Sequence, residues 1–187
     1  TGDQRGSVFP RAIDHAATAP AAVVADIGAV ELAADDILDF TITATPNITL
    51  RLSASGNSYE IVNDASGTVI ASQTVTSTNT LDINGLAASA DTLTVDFSNG
   101  NPIINGATAW DADTGADSLI VSGGSHTTVT YTANGPDSGI VDYDGSSFTY
   151  SGLAPITDNG SAVNRVFTVN IAGAQQLRLI QGRMSVL

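Results

Sequence analysis

From Asp39 onward the chain alternates apolar and polar residues in short runs. These are Phe40 to Ala44, Ile48 to Ser53, Tyr59 to Val62, Thr68 to Ser72, Thr80 to Ile83, Thr92 to Phe97, Ser118 to Val121, Thr127 to Thr132, Gly139 to Tyr143, Ser147 to Tyr150 and Arg165 to Ile171. Each run is rich in Val, Ile, Thr, Tyr or Phe and is bounded by Gly, Asn, Asp or Pro, which predicts an all-β domain. Residues 1–32 differ in texture. A Pro-punctuated, Arg-containing opening leads into an alanine-rich stretch from Ala16 to Ala25. There Pro20 and the β-branched Val23, Val24, Ile27 and Val30 leave a short helix and a loop entering a strand both open.

The runs also carry a candidate repeat. Ala90-Asp91-Thr92-Leu93-Thr94-Val95 aligns with Ala116-Asp117-Ser118-Leu119-Ile120-Val121 at an offset of 26 residues. A fixed period of this size, one strand-turn unit per repeat, is how solenoids look in sequence. One region predicts antiparallel pairing instead. Ile140 to Tyr143 meets Ser147 to Tyr150 through Asp144-Gly145, and Thr127 to Thr132 is followed by Asn134-Gly135. Both dipeptides suit the positive-φ positions of tight hairpins, but Pro136 removes a ladder donor and predicts a wider first turn.

Composition narrows the function classes. The 187 residues are 42% apolar and carry a net charge of -13, enough for one domain with a real core. There is no lysine; all positive charge comes from Arg5, Arg11, Arg51, Arg165, Arg178 and Arg183. Nucleic acid is therefore not an expected partner, because phosphate binding needs a basic face. Anionic membrane surfaces are disfavoured for the same reason, and no run approaches the roughly 18 apolar residues of a spanning helix. With no cysteine, stability must come from packing and strand ladders rather than disulfides or zinc-thiolate sites. Abundant Asp, Asn, Ser, Thr and Gly suit turns, strands and an exported surface.

Asp3-Gln4-Arg5-Gly6, then Pro10-Arg11, then Asp26-Ile27-Gly28-Ala29 resemble the closing signature of bacterial secreted right-handed β-helix proteins, of the polymorphic outer-membrane-protein-like or choice-of-anchor kind. Val30-Glu31 replaces the usual aromatic-Glu ending. The rest is similar to a module of very large bacterial surface repeat proteins. Its marks here are Ile48-Thr49-Leu50-Arg51-Leu52, Asp91 to Phe97, Asn101-Pro102-Ile103, Asp117-Ser118-Leu119, Gly152 to Asp158 and Asn164 to Thr168. The resemblance implies extracellular, β-rich architecture with adhesive or scaffold roles, and a segment of a longer protein.

Few residues suggest chemistry. Asp111, Asp113 and Asp117 surround Gly115, and closely spaced hard oxygen ligands on a loop are what calcium requires. They are the candidate Ca2+ ligands, set against the commoner solvated turn aspartates; Asp35, Asp36 and Asp39 are a weaker group. His15 and His126 have no zinc-like spacing, and no serine sits in a nucleophile elbow. Asp142 with Asp144, or Asp91 with Asp96, are the carboxylate pairs a glycosidase would use, against a solvated strand face. Trp110 and Tyr143 are candidate glycan-stacking residues, with core packing as the default.

The expected fold is all-β: a right-handed parallel β-helix or solenoid with antiparallel hairpin insertions around residues 127–151, the alternative being an antiparallel β-sandwich. Residues 1–32 are expected to be an end motif or extended segment, and 33–187 the β-rich surface module. The expected function is a non-catalytic structural or adhesive segment of an exported bacterial surface protein, with no catalytic residues. Its partners are other copies or neighbouring repeat modules, joined through unpaired strand edges, and glycans; the rivals are a carbohydrate-binding module and a polysaccharide-degrading enzyme.

Overall fold

The computed structural model describes residues 37–43, 46–170, 177–180 and 183–186, so the segment 1–32, with His15 and Asp35-Asp36, lies outside the described residues. The strands are β1 (Ile37–Thr41), β2 (Asn47–Leu52), β3 (Ser58–Asn63), β4 (Thr68–Thr74), β5 (Thr80–Asn84), β6 (Thr92–Asp96), β7 (Thr108–Asp111) and β8 (Asp117–Ser122). They continue with β9 (Ser125–Ala133), β10 (Gly139–Tyr143), β11 (Ser146–Ser151), β12 (Leu153–Asp158), β13 (Ser161–Val169), β14 (Leu177–Ile180) and β15 (Arg183–Val186). The described residues form an all-β architecture, as the alternation predicts. One sheet has seven strands in the order β1-β5-β7-β11-β10-β9-β13, and a second has six in the order β12-β8-β6-β2-β3-β4. β14 and β15 pair with each other.

Both sheets are mixed. β1, β5, β7 and β11 are successive parallel neighbours in the seven-stranded sheet, as are β2, β6, β8 and β12 in the other. The chain passes from β5 to β6 to β7 to β8, changing sheet at each step. Antiparallel strands enter as two insertions: β3 and β4 beyond β2, and the β9-β10-β11 meander over the region expected to hold hairpins. The Asp144-Gly145 turn takes the predicted form, with φ of 53° and 91° and Tyr143 opposite Ser146. The Asn134-Gly135 turn is wider, as Pro136 predicts: Asn134 and Gly135 both donate to the Ser138 carbonyl.

The repeated hexapeptides are spatial neighbours. Thr92, Leu93, Thr94 and Val95 lie in register beside Ser118, Leu119, Ile120 and Val121. The same offset of 26 recurs outside the strands, where the Asp91 amide donates to the Asp117 side chain at 2.7 Å. Because registered residues point to the same face, like side chains stack in rows. In the six-stranded sheet one inward row is Ile48, Leu93, Leu119 and Ile156, and the next is Leu50, Val95, Val121 and Asp158. In the seven-stranded sheet Phe40, Ile83, Trp110 and Tyr150 form such a row. Ile48, Leu50, Leu93, Val95, Leu119 and Val121 are buried, each worth roughly 1.5–3 kcal/mol relative to exposure. Gly85 marks the close approach of adjacent turns: a Cβ there would lie 2.7 Å from the Ala112 carbonyl oxygen, while the Gly85 amide donates to Asp111.

Candidate functional site

The candidate calcium residues separate. Asp111 ends β7 and Asp113 follows it in an exposed turn, where Asp113 takes a φ of 61°. The Asp111 Oδ1 accepts from the Asp113 amide at 3.1 Å and from the Ser151 hydroxyl at 3.0 Å. Asp117, by contrast, opens β8 facing inward and is fully buried. Among the described residues no three acidic or histidine side chains converge in a metal-binding group. Asp113 instead lines a shallow hollow of about 360 Å³ together with Asp137, Pro136 and Gly152.

The carboxylates proposed for acid-base pairs are used as acceptors for backbone amides. Asp91, just before β6, is fully buried, whereas Asp96, the last residue of β6, is only partly buried. Asp91 Oδ2 accepts from Leu86 at 2.6 Å, and Asp96 Oδ1 accepts from Ser98 at 2.9 Å. Asp142 accepts from the Gly145 amide and closes the turn that carries Asp144. Asp144 Oδ1 accepts from the Thr128 amide at 2.8 Å and the Thr127 amide at 3.0 Å. The Thr128 bond foremost, with Thr127 and the neighbouring His126, holds the Asp144 carboxyl below its ordinary value despite some desolvation.

Trp110 and Tyr143, the candidate stacking residues, are 1% and 2% exposed, so neither ring presents a face to a sugar. Trp110 is inserted into the core row of the seven-stranded sheet, where its Nε1 has no hydrogen-bond partner. Tyr143 packs against Phe97 and His126, with ring centroids 5.0 and 4.8 Å away.

This packing belongs to a polar-aromatic cluster that no local motif announces. His126 Nδ1 lies 3.4 Å from Asp144 Oδ2, and its Nε2 is buried without a partner. Tyr131 donates a hydrogen bond to Asp158. Arg165 lies 3.6 Å from the same carboxylate and donates to the Gly160 carbonyl at 2.7 Å. The arrangement follows from register. Asp158 continues an apolar row of the six-stranded sheet, and Arg165 lies beside Val129, which is followed across the ladder by Tyr143. The interior between the sheets thus ends in an ion pair instead of another apolar layer. Burial first, and then Asp158, push the Tyr131 hydroxyl well above its ordinary pKa; burial and then Tyr131 and Asp158 do the same to Tyr143.

No protein-family model, curated protein or solved structure matches the chain. His126 faces a carboxylate as a catalytic histidine would, yet no hydroxyl nucleophile is bonded to it and its other nitrogen faces the packed interior. What the cluster does is close and tie together the end of the core.

That role gives a pH dependence. A tyrosine whose pKa is raised by folding contributes stability that is complete below its unfolded value of about 10 and is lost as pH rises beyond it. Stability should therefore be unaffected by Tyr131 and Tyr143 through neutral pH and fall above about pH 10. Tyr143→Phe should cost less than about 1 kcal/mol at pH 7, because the hydroxyl has no hydrogen-bond partner, and should reduce the alkaline loss. Urea unfolding at pH 7 and pH 11 checks both.

Proposed function

We propose that this chain is a non-catalytic structural or adhesive segment of an exported bacterial surface protein, with residues 37–170 coiled as a β-solenoid that carries antiparallel hairpin insertions. The observation that carries this reading is the coincidence of repeat and register: the Ala90 to Val95 segment and its counterpart 26 residues on are direct parallel neighbours. A sequence that repeats at the spacing at which it stacks is built for extension in one dimension. The strong preference for right-handed crossovers between parallel strands of one sheet supports a right-handed coil. A net charge of -13 without lysine supports an exported, soluble surface and disfavours nucleic acid and anionic lipid. The buried rings of Trp110 and Tyr143, and the use of the candidate acid-base carboxylates as amide acceptors, favour the structural reading over glycan binding or hydrolysis.

Incubation of the purified chain with neutral and uronate-containing glycans tests the reading. The expected result is neither turnover nor saturable binding. Turnover abolished by Asp142→Asn, or saturable binding lost in an otherwise folded Tyr143→Phe variant, would replace the structural reading with an enzymatic or lectin one.

A further inference from the structure

We propose that copies of this chain stack end to end, with the outer edge of β13 on one copy accepting β1 of the next so that the seven-stranded sheet continues as a parallel ladder. The proposal rests on the structural reading above and names its partner as a second copy.

Strand direction is the first support. In the seven-stranded sheet β1, β5, β7 and β11 run one way, β10 opposes them, and β9 and β13 restore the direction. In the six-stranded sheet β12, β8, β6 and β2 agree, β3 opposes and β4 restores. Each sheet contains two antiparallel pairings, so its direction reverses twice and both sheets begin and end with strands of one direction. A translated copy then meets each free edge in the parallel sense that the core already uses.

The second support is what the ends expose. Among the described residues no strand pairs with the outer edge of β13 or of β1. β13 leaves Val163 80%, Val166 44% and Phe167 39% exposed. Phe167 lies beside Tyr131 on the row that also holds Val141 and Phe148, so a core-facing row continues onto β13 and there loses its cover. The opposite end exposes Ile37 on β1 and Val69 and Ile70 on β4. Two adhesive ends of different composition make a heterologous contact, which does not close at a dimer.

The third support is the uneven guarding of the edges. Natural edge strands are blunted by proline, bulges or lysine. β12 has such guards, Pro155 and a register shift between Leu153 and Ile156. β13 keeps one register with β9 from Ser161 to Val169 and contains neither proline nor lysine. Its one charge, Arg165, is engaged by Gly160 and Asp158. The contact is therefore assigned to β13 and not to β12.

Like-charged copies repel, so assembly should strengthen as salt shortens the screening length to about 8 Å near physiological ionic strength. The test is electron microscopy and sedimentation of the whole chain over a range of concentrations, with and without calcium, beside the V163K/V166K variant. Both positions are exposed, so the variant should keep the wild-type melting temperature. The expected result is linear assemblies of the wild type that grow with concentration, and monomers of the variant. A wild type that stays monomeric under every condition, as it would if residues 1–36 or 171–187 of the same chain cover the edge, overturns stacking. It leaves the structural reading standing, because that reading is decided by the glycan experiment. Assembly of the variant equal to wild type overturns the assignment to β13. Since the chain has no cysteine, V166C and I37C proteins give a direct check of the ends. Mixed, they should cross-link to each other; V166C homodimers alone would mean head-to-head pairing and would also overturn the proposal.

Discussion

Trp110→Ala is expected to destabilise the protein by about 3–5 kcal/mol, the range for removing a large aromatic from a packed core. The side chain is 1% exposed and lies in register between Ile83 and Tyr150, so no solvent-facing rearrangement can fill its volume. β7, which carries it, has only four residues and joins β5 to β11, so loss of its one large anchor loosens the middle of the seven-stranded sheet. Trp110→Phe should recover most of the loss, because the indole Nε1 makes no hydrogen bond and only packing must be replaced. Thermal unfolding of the two variants measures the difference. A Trp110→Ala protein as stable as wild type would contradict the placement of this ring in the core.

Asp117→Ala should cost about 2–3 kcal/mol, and Asp117→Asn much less. The Asp117 Oδ1 is the acceptor for the buried Asp91 amide, a bond between successive strands of the repeat, and alanine would leave that amide without a partner. The other carboxylate oxygen, Oδ2, is buried with no hydrogen-bond partner. Asparagine keeps an acceptor toward Asp91 in a side chain of nearly the same shape, so the buried amide retains its partner. Denaturant unfolding of both variants at pH 7 gives the comparison. Equal destabilisation by alanine and asparagine would mean that the acceptor toward the Asp91 amide is not what the fold uses at this position.

Much of the fold is legible in the alternation. The runs at Gly139 to Tyr143 and around Ser147 to Tyr150 match β10 and β11, and the turn between them follows from the positive φ that Asp-Gly accepts. The 26-residue offset is legible because two strands with the same inward Leu and Val pair in register. β7 and β12 are not. Thr108–Asp111 is too short, and too rich in alanine nearby, to show a period of two, and Pro155 masks Leu153–Asp158 because proline demotes a run to non-strand. The Asp111, Asp113 and Asp117 spacing does not show on which side of the sheets each carboxylate lies. Once β7 and β8 belong to different sheets, the intervening turn sends Asp117 into the core and leaves Asp111 and Asp113 outside. The cluster of Tyr131, His126, Asp158 and Arg165 leaves no local signature, since Tyr131 and Asp158 are 27 residues apart and meet only through the register of two sheets.

The coiled, parallel stacking of the repeat is the claim on which the rest depends, and an engineered disulfide tests it most directly. Thr92 and Ser118 are in-register neighbours whose hydroxyl oxygens lie 3.0 Å apart, and the native chain has no cysteine to compete. A T92C/S118C protein should oxidise within the monomer and gain up to roughly 3 kcal/mol of stability by closing that loop. A pair that stays reduced in the folded protein under oxidising conditions would contradict the parallel neighbour relation and, with it, the solenoid reading.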